Sequence, residues 1–215
     1  MIKAIIFDRD GVLIDSEGLH INSAKAALAE LGVTFDENDA KILIGRHPSD
    51  YREQFLKKYN VDWDDYAARQ KTIYYKLLDP NAILIKESAA LARILKKKGF
   101  KIGLATSSGR DGTIRILKET GLTKVFDAVI AKEDCNERKP SPESYLLTAR
   151  KLGVNPKECI AIEDTSLGLE AAKRAGMKCI VIKTSILSGQ TFPKADLVLD
   201  RQDLTFEAIK ALIGN

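Results

Sequence analysis

Six short apolar runs punctuate this chain, at residues 4–7, 102–105, 128–131, 159–162, 179–182 and 197–199. A sheet with one wet face would alternate polar and apolar residues; these runs are continuous, as in strands covered on both sides. From residue 87 onward they alternate with stretches whose apolar residues recur every three or four positions, at 87–98, 111–119, 142–152, 166–175 and 204–213. Gly99, Gly121, Gly153 and Gly176 follow several of these stretches, where a left-handed residue closes a helix. Strands and helices in strict alternation require a parallel sheet with helices on both faces, so the expected fold class is α/β with a doubly wound parallel sheet.

The interval after the first run breaks the rhythm. Residues 15–80 hold no convincing strand but carry four helical patterns, at 17–31, 37–44, 48–59 and 63–78. A crossover of this length is a domain in its own right, expected to be a small helical bundle. The expected division is therefore a core of residues 1–14 and 81–215 and a helical insert of residues 15–80, the return marked by Asp79-Pro80-Asn81. Phe55, Trp63, Tyr74 and Tyr75 recur at helical spacing and read as packing residues of the insert rather than as a binding stripe.

Composition removes several classes of function. With 34 Lys and Arg against 30 Asp and Glu, the net charge is +4 and the cations are scattered, so no nucleic-acid partner is expected. The one cationic run, Lys96-Lys97-Lys98, closes a helical pattern just before Gly99, where cations suit the helix dipole. Cys135, Cys159 and Cys179 have no paired spacing, which suggests reduced thiols rather than a zinc knuckle or a disulfide framework. The apolar start MIKAIIFD is too short for a signal sequence, and no stretch approaches a membrane span. A cytoplasmic protein without a membrane partner is expected.

In a doubly wound sheet, ligands sit beyond the carboxyl ends of the strands. The residues there are Asp8-Arg9-Asp10-Gly11 after the first run, Thr106-Ser107-Ser108-Gly109 after the second and Glu163-Asp164-Thr165 after the fourth, with Lys139-Pro140 before the helix that follows the third. Two acidic clusters, a hydroxyl-rich turn and a lysine thus converge on one edge. Carboxylates brought close raise one another's pKa unless a cation sits among them, and a hard oxygen donor set favours Mg²⁺. With His20 and His47 the only histidines, zinc is disfavoured. Thr106, Ser107 and Gly109 lead into a helix and offer hydroxyls and amides to an anion, which Lys139 can neutralise further. The set reads as phosphoryl chemistry.

Asp8-Arg9-Asp10-Gly11-Val12-Leu13, Thr106 after its strand, Lys139-Pro140-Ser141-Pro142, and Glu163-Asp164 followed by Gly168 resemble the four ordered motifs of the haloacid dehalogenase superfamily. The insert after the first motif resembles the subgroup with a four-helix cap, which includes phosphoglycolate phosphatase-like, sugar-phosphatase and β-phosphoglucomutase-like enzymes. The resemblance implies a Rossmann-like core with an inserted four-helix cap domain. It also implies Asp8 as the nucleophile that forms an aspartyl-phosphate and Asp10 as the acid and then the base. Mg²⁺ would be held by Asp8, the backbone carbonyl of Asp10, Asp164 and Glu163, the last directly or through water. Thr106, Ser107 and Ser108 would hold phosphate oxygens, and Lys139 would offset charge on Asp8 and the phosphoryl group. An acid at position 10 favours phosphate esters over carbon–halogen bonds, because halide leaves without a proton. Arg9 departs from the pattern, which is more often apolar there; its charge must point away from the metal or meet a partner. Ile85-Lys86 also stands where relatives carry Pro-Gly on re-entering the core.

In that architecture the cap sets substrate choice by closing over the phosphate site. The residues positioned for this are Ser16, Glu17 and His20 on the first insert helix, Arg46 and His47 after Gly45, and Lys71 and Lys76 on the last helix. His20, Arg46 and Lys76 are taken as substrate-binding candidates, although Lys71 and Lys76 also fit a solvated helix face. Three functions follow: a Mg²⁺-dependent phosphatase of a small phosphorylated metabolite, acting as a monomer; a phosphosugar mutase, which the positions of His20 and Lys76 favour; and a non-catalytic phosphometabolite-binding protein. The presence of both a nucleophile and an acid argues against the last.

Overall fold

The computed structural model describes residues 1–43, 48–184 and 191–214, with the side chains of 41, 42 and 48–50 outside that description. The chain divides into two compact units, Met1–Asp15 with Pro80–Asn215, and Ser16–Asp79. In the first, the apolar runs form β1 (Ala4–Phe7), β2 (Lys101–Ala105), β3 (Ala128–Ile130), β4 (Cys159–Glu163), β5 (Lys178–Lys183) and β6 (Leu197–Asp200). All pair in parallel, in the order β3-β2-β1-β4-β5-β6. From β1 the chain moves outward through β2 and β3, then returns to lay β4 on the other side of β1. The switch point lies between β1 and β4, so the loops leaving these two strands open onto the crevice where such sheets bind ligands.

The continuous apolar runs are explained by two cores, one on each face. Ile5 and Phe7 of β1, Ile102 and Leu104 of β2 and Ile160 and Ile162 of β4 pack with α5 (Lys86–Lys97), α6 (Arg110–Glu119) and α9 (Phe206–Ile213). Their neighbours Ala4, Ile6, Ala105 and Ala161 point the other way, against α7 (Glu143–Leu152) and α8 (Ser166–Arg174). Each such fully buried Ile or Phe contributes about 1.5–3 kcal/mol, and a polar residue on either face would lose it. The Lys96–Lys98 run is occupied within this unit: Lys96 pairs with Asp127, and the Lys98 ammonium lies 4.3 Å from the Phe206 ring centre.

The second unit contains α1 (Glu17–Glu30), α2 (Ala40–Leu43), α3 (Pro48–Tyr59) and α4 (Trp63–Leu77). Phe55 lies at its centre, with ring centres of Tyr59 and Tyr66 at 4.7 and 4.6 Å and of Trp63 at 5.9 Å. The helix expected at 37–44 is instead a 3₁₀ turn, Glu37–Asp39, followed by the single turn of α2. Two acidic side chains explain the difference: Asp36 accepts from the amide of Asn38, and buried Asp39 accepts from the Tyr59 hydroxyl at 2.6 Å. Such side-chain bonds compete with regular helix. Among the described residues, no helix is long and apolar enough to cross a membrane.

Candidate active site

The site is built on the carboxyl ends of β1, β2 and β4. After Phe7 the chain turns sharply: the amides of Leu13 and Ile14 both donate to the Arg9 carbonyl, at 2.8 and 2.9 Å, and Gly11 donates to Ile14 at 2.8 Å. Gly11 has φ +74°, and a Cβ there would lie 1.8 Å from Asp164 Oδ2. Only glycine lets the β1 turn come this close to the acidic pair at the end of β4.

Asp8, Glu163 and Asp164 are all buried, and each offers a carboxylate oxygen within 4.8 Å of the other two. Lys139 reaches into the cluster, its Nζ 2.6 Å from Asp8 Oδ1 and 2.5 Å from Glu163 Oε1. Burial alone would lower the Lys139 pKa, but Asp8 and Glu163 outweigh it and hold the ammonium charged. Tyr145, fully buried on α7, donates to Glu163 Oε1 at 2.6 Å, while the amide of Asp164 and the hydroxyl of Thr165 donate to Oε2 at 3.2 and 3.3 Å. A Cβ on Gly168 would lie within 2.0 Å of both Glu163 oxygens, so Glu163 packs directly against the backbone of α8.

One lysine against three buried carboxylates leaves an excess of negative charge. Burial and the neighbouring carboxylates raise the Asp164 carboxyl well above its ordinary range, and Asp8 is pushed up to about 7 by burial first, with Lys139 opposing and Glu163 and Asp10 adding. An oxygen-only set under this strain fits a divalent cation, which would neutralise the excess without protonation.

The sign of the pH dependence follows. Folded, Asp8 keeps a proton that the unfolded chain sheds near 3.8, so this group removes stability as pH rises from there to about 7. With divalent cations chelated, wild type should therefore lose melting temperature relative to Asp8→Asn as pH is raised from about 5 to 7. Melting curves that stay parallel across that range would show the raised carboxyl to be wrong.

Asp10 stands outside the carboxylate cluster. Its Oδ2 accepts from Arg9 Nε at 3.0 Å and from the Ser108 hydroxyl at 2.7 Å, and its Oδ1 accepts from Arg9 Nη2 at 2.9 Å. Arg9 thus has a partner, and it is the neighbouring residue. Thr106 is buried at the end of β2, Ser107 is exposed in the turn, and the amide of Ser108 donates to Thr106 Oγ1 at 3.0 Å. Two donors expected to face an anion are therefore turned onto Thr106 and Asp10.

The structure thus gathers Asp8, Asp10, Ser108, Lys139, Glu163 and Asp164 with Thr106 in the α/β unit. His20 and Lys76 belong to the helical unit: the His20 ring lies 4.7 Å from that of Tyr74, and Lys76 is exposed on α4. Arg46 and His47 lie outside the described residues. Tyr145 and Thr113, which receives Arg9 Nη1 at 3.1 Å, are site residues that sequence reasoning did not single out. The sequence carries no signal that singles Tyr145 out, because the buried face of α7 also holds the hydroxyls of Ser144 and Thr148.

A sequence profile described as haloacid dehalogenase-like hydrolase matches residues 5–182. The chain is 31% identical to the β-phosphoglucomutase of Bacillus subtilis (strain 168) over 219 residues, covering 97% of this chain and 94% of that protein. It is 29% identical to the fructose-1-phosphate phosphatase YqaB of Escherichia coli (strain K12) over 182 residues, covering 83% and 95%. The crystal structure of CbbY from Rhodobacter sphaeroides in complex with phosphate superposes with a TM-score of 0.80 at 28% identity, over 95% of this chain and 96% of that one.

Proposed function

This chain belongs to the haloacid dehalogenase-like hydrolases, and on that premise we propose that it is a Mg²⁺-dependent phosphatase of small phosphorylated metabolites working through an aspartyl-phosphate on Asp8. The observation that carries the reading is the combination of a buried, lysine-paired Asp8 with a second carboxylate two residues on, Asp10, held apart from the acidic cluster. One carboxylate is thereby assigned to attack and the other to proton transfer.

In the first half, an Asp8 oxygen attacks phosphorus and the bond to the ester oxygen breaks. That oxygen leaves as an alcohol once Asp10 gives it a proton. In the second half, water attacks the phosphorus of the aspartyl-phosphate, Asp10 takes the water's proton, and Asp8 is regenerated as orthophosphate leaves. Asp8, Asp164 and the Asp10 backbone carbonyl, with Glu163 directly or through water, would hold Mg²⁺, which supplies positive charge against the carboxylates and the phosphoryl oxygens. Lys139 offsets the charge that remains. Thr106, Ser107 and Ser108 hold the non-bridging oxygens, an incoming phosphate taking the Ser108 amide from Thr106. His20, Arg46 and Lys76 are assigned to the rest of a phosphoglycolate- or sugar-phosphate-like substrate.

The 31% identity to a β-phosphoglucomutase favours one alternative, return of the phosphoryl group from Asp8 to a different sugar hydroxyl. A panel of phosphoglycolate, hexose phosphates and sugar bisphosphates separates the two when phosphate release and isomer formation are read in parallel. Release without isomerisation supports the phosphatase; conversion of β-glucose 1-phosphate to the 6-phosphate with a bisphosphate primer overturns it. Chelation should abolish turnover and Mg²⁺ should restore it, and activity indifferent to chelation would dispose of the metal.

A further inference from the structure

Arg9 is a buried guanidinium, 4% exposed, in the turn that follows β1. The cost of removing such a charge from water is offset only when its donors are engaged, and here every nitrogen is. Nε and Nη2 form a fork on the two oxygens of Asp10, at 3.0 and 2.9 Å, and Nη1 donates to Thr113 Oγ1 at 3.1 Å. Thr113 is itself buried on α6 and donates to the Gly109 carbonyl at 2.9 Å. The Ser108 hydroxyl adds a third donor to the Asp10 carboxylate at 2.7 Å. Three donors from the α/β unit therefore fix both the plane and the rotation of that carboxylate. A fork of this kind needs the planar guanidinium, which lysine cannot imitate.

We propose that Arg9, anchored on Thr113, is the positioning residue that holds the Asp10 carboxylate as proton acceptor for the water that cleaves the aspartyl-phosphate. This rests on the mechanism proposed above and adds to it a residue that acts through Asp10. In the step concerned, the water oxygen bonds to phosphorus and the bond from phosphorus to the Asp8 oxygen breaks. The electron pair returns to the Asp8 carboxylate, and the water's proton passes to Asp10. A carboxylate holding its own plane and rotation would make that transfer without first reorganising, whereas a misplacement of about 1 Å costs about 10²-fold in rate.

The test uses p-nitrophenyl phosphate, whose leaving group departs without help from an acid, so only the second half of the reaction depends on Asp10. Arg9→Met should show a burst of p-nitrophenolate equal to the enzyme concentration, then a kcat lowered about 10–10²-fold. KM should fall in proportion, leaving kcat/KM nearly unchanged. Asp10→Asn should give the same signature more strongly, about 10²–10⁴-fold. A loss in Arg9→Met that falls on kcat/KM without a burst overturns the role of Arg9 while leaving that of Asp10 intact. Absence of a burst in Asp10→Asn overturns the mechanism on which both rest. Should Arg9→Met fail to fold, Thr113→Val decides: a burst with lowered kcat supports the anchor, and an unchanged kcat overturns it.

Discussion

Exchange of Asp8 for asparagine should lower turnover by about 10⁴–10⁶-fold, the range reached when a covalent nucleophile is removed, and should leave the fold intact. Asparagine has the shape of aspartate but neither its charge nor its nucleophilic oxygen, so the proposed aspartyl-phosphate could not form. Stability should change in the opposite direction to activity. Asp8 is one of three mutually repelling buried carboxylates, its carboxyl raised to about 7 chiefly by burial, so the metal-free variant should be at least as stable as wild type at neutral pH. Lys139 keeps Glu163, at 2.5 Å, as its partner. The measurements are phosphate release under saturating Mg²⁺, radiolabel transfer from a phosphorus-labelled phosphate ester to the protein, and a thermal melt in chelator. Turnover retained to within about 10²-fold of wild type, too small a loss for a missing nucleophile, would place the attacking group elsewhere.

Where the sequence was legible, one physical constraint dominated. Strands buried on both faces must be apolar throughout, so β1, β2, β4 and β5 stand out in the sequence, and their order forces the residues that follow them to one edge. Asp8, Thr106, Glu163 and Asp164 are found by that rule alone. What was not legible depends on contacts between elements. Tyr145 looks like one more apolar-face residue of α7 until β4 places Glu163 2.6 Å from its hydroxyl. Thr113 looks like a helix residue until Arg9 reaches it across 104 positions of chain. The 3₁₀ turn at Glu37–Asp39 escaped for a related reason: apolar periodicity is blind to a side chain such as Asp36 capping its own backbone. Ser108 shows a further limit, because the sequence offers its donors to an anion while the structure spends them on Thr106 and Asp10.

Gly168→Ala should destabilise the protein and disable the site together, although the substitution is favourable by helix propensity. Gly168 lies inside α8, where alanine gains about 1 kcal/mol over glycine. Against this, the new Cβ would sit 1.9 Å from Glu163 Cδ and 2.0 Å from both of its oxygens. Overpacking a core costs about 1–3 kcal/mol when neighbours can give, and Glu163 has little room to do so. It is 1% exposed, bonded by Tyr145 and Lys139 on one oxygen and by the Asp164 amide and Thr165 on the other. The clash therefore wins, with a net loss of about 2 kcal/mol after the helix gain when the cost lies at the upper end of that range. Relief requires Glu163 to leave Lys139, which frees the lysine from its place beside Asp8, so turnover should fall by at least about 10²-fold as the site loses its geometry. Gly18→Ala is the matched control: that glycine lies in α1 with nothing within 4 Å of a built Cβ, so alanine there should be neutral or stabilising by about 0.5–1 kcal/mol. Urea unfolding of both variants alongside wild type reads the difference, and a Gly168→Ala protein as stable and active as the control would show that Glu163 can move where the structure holds it fast.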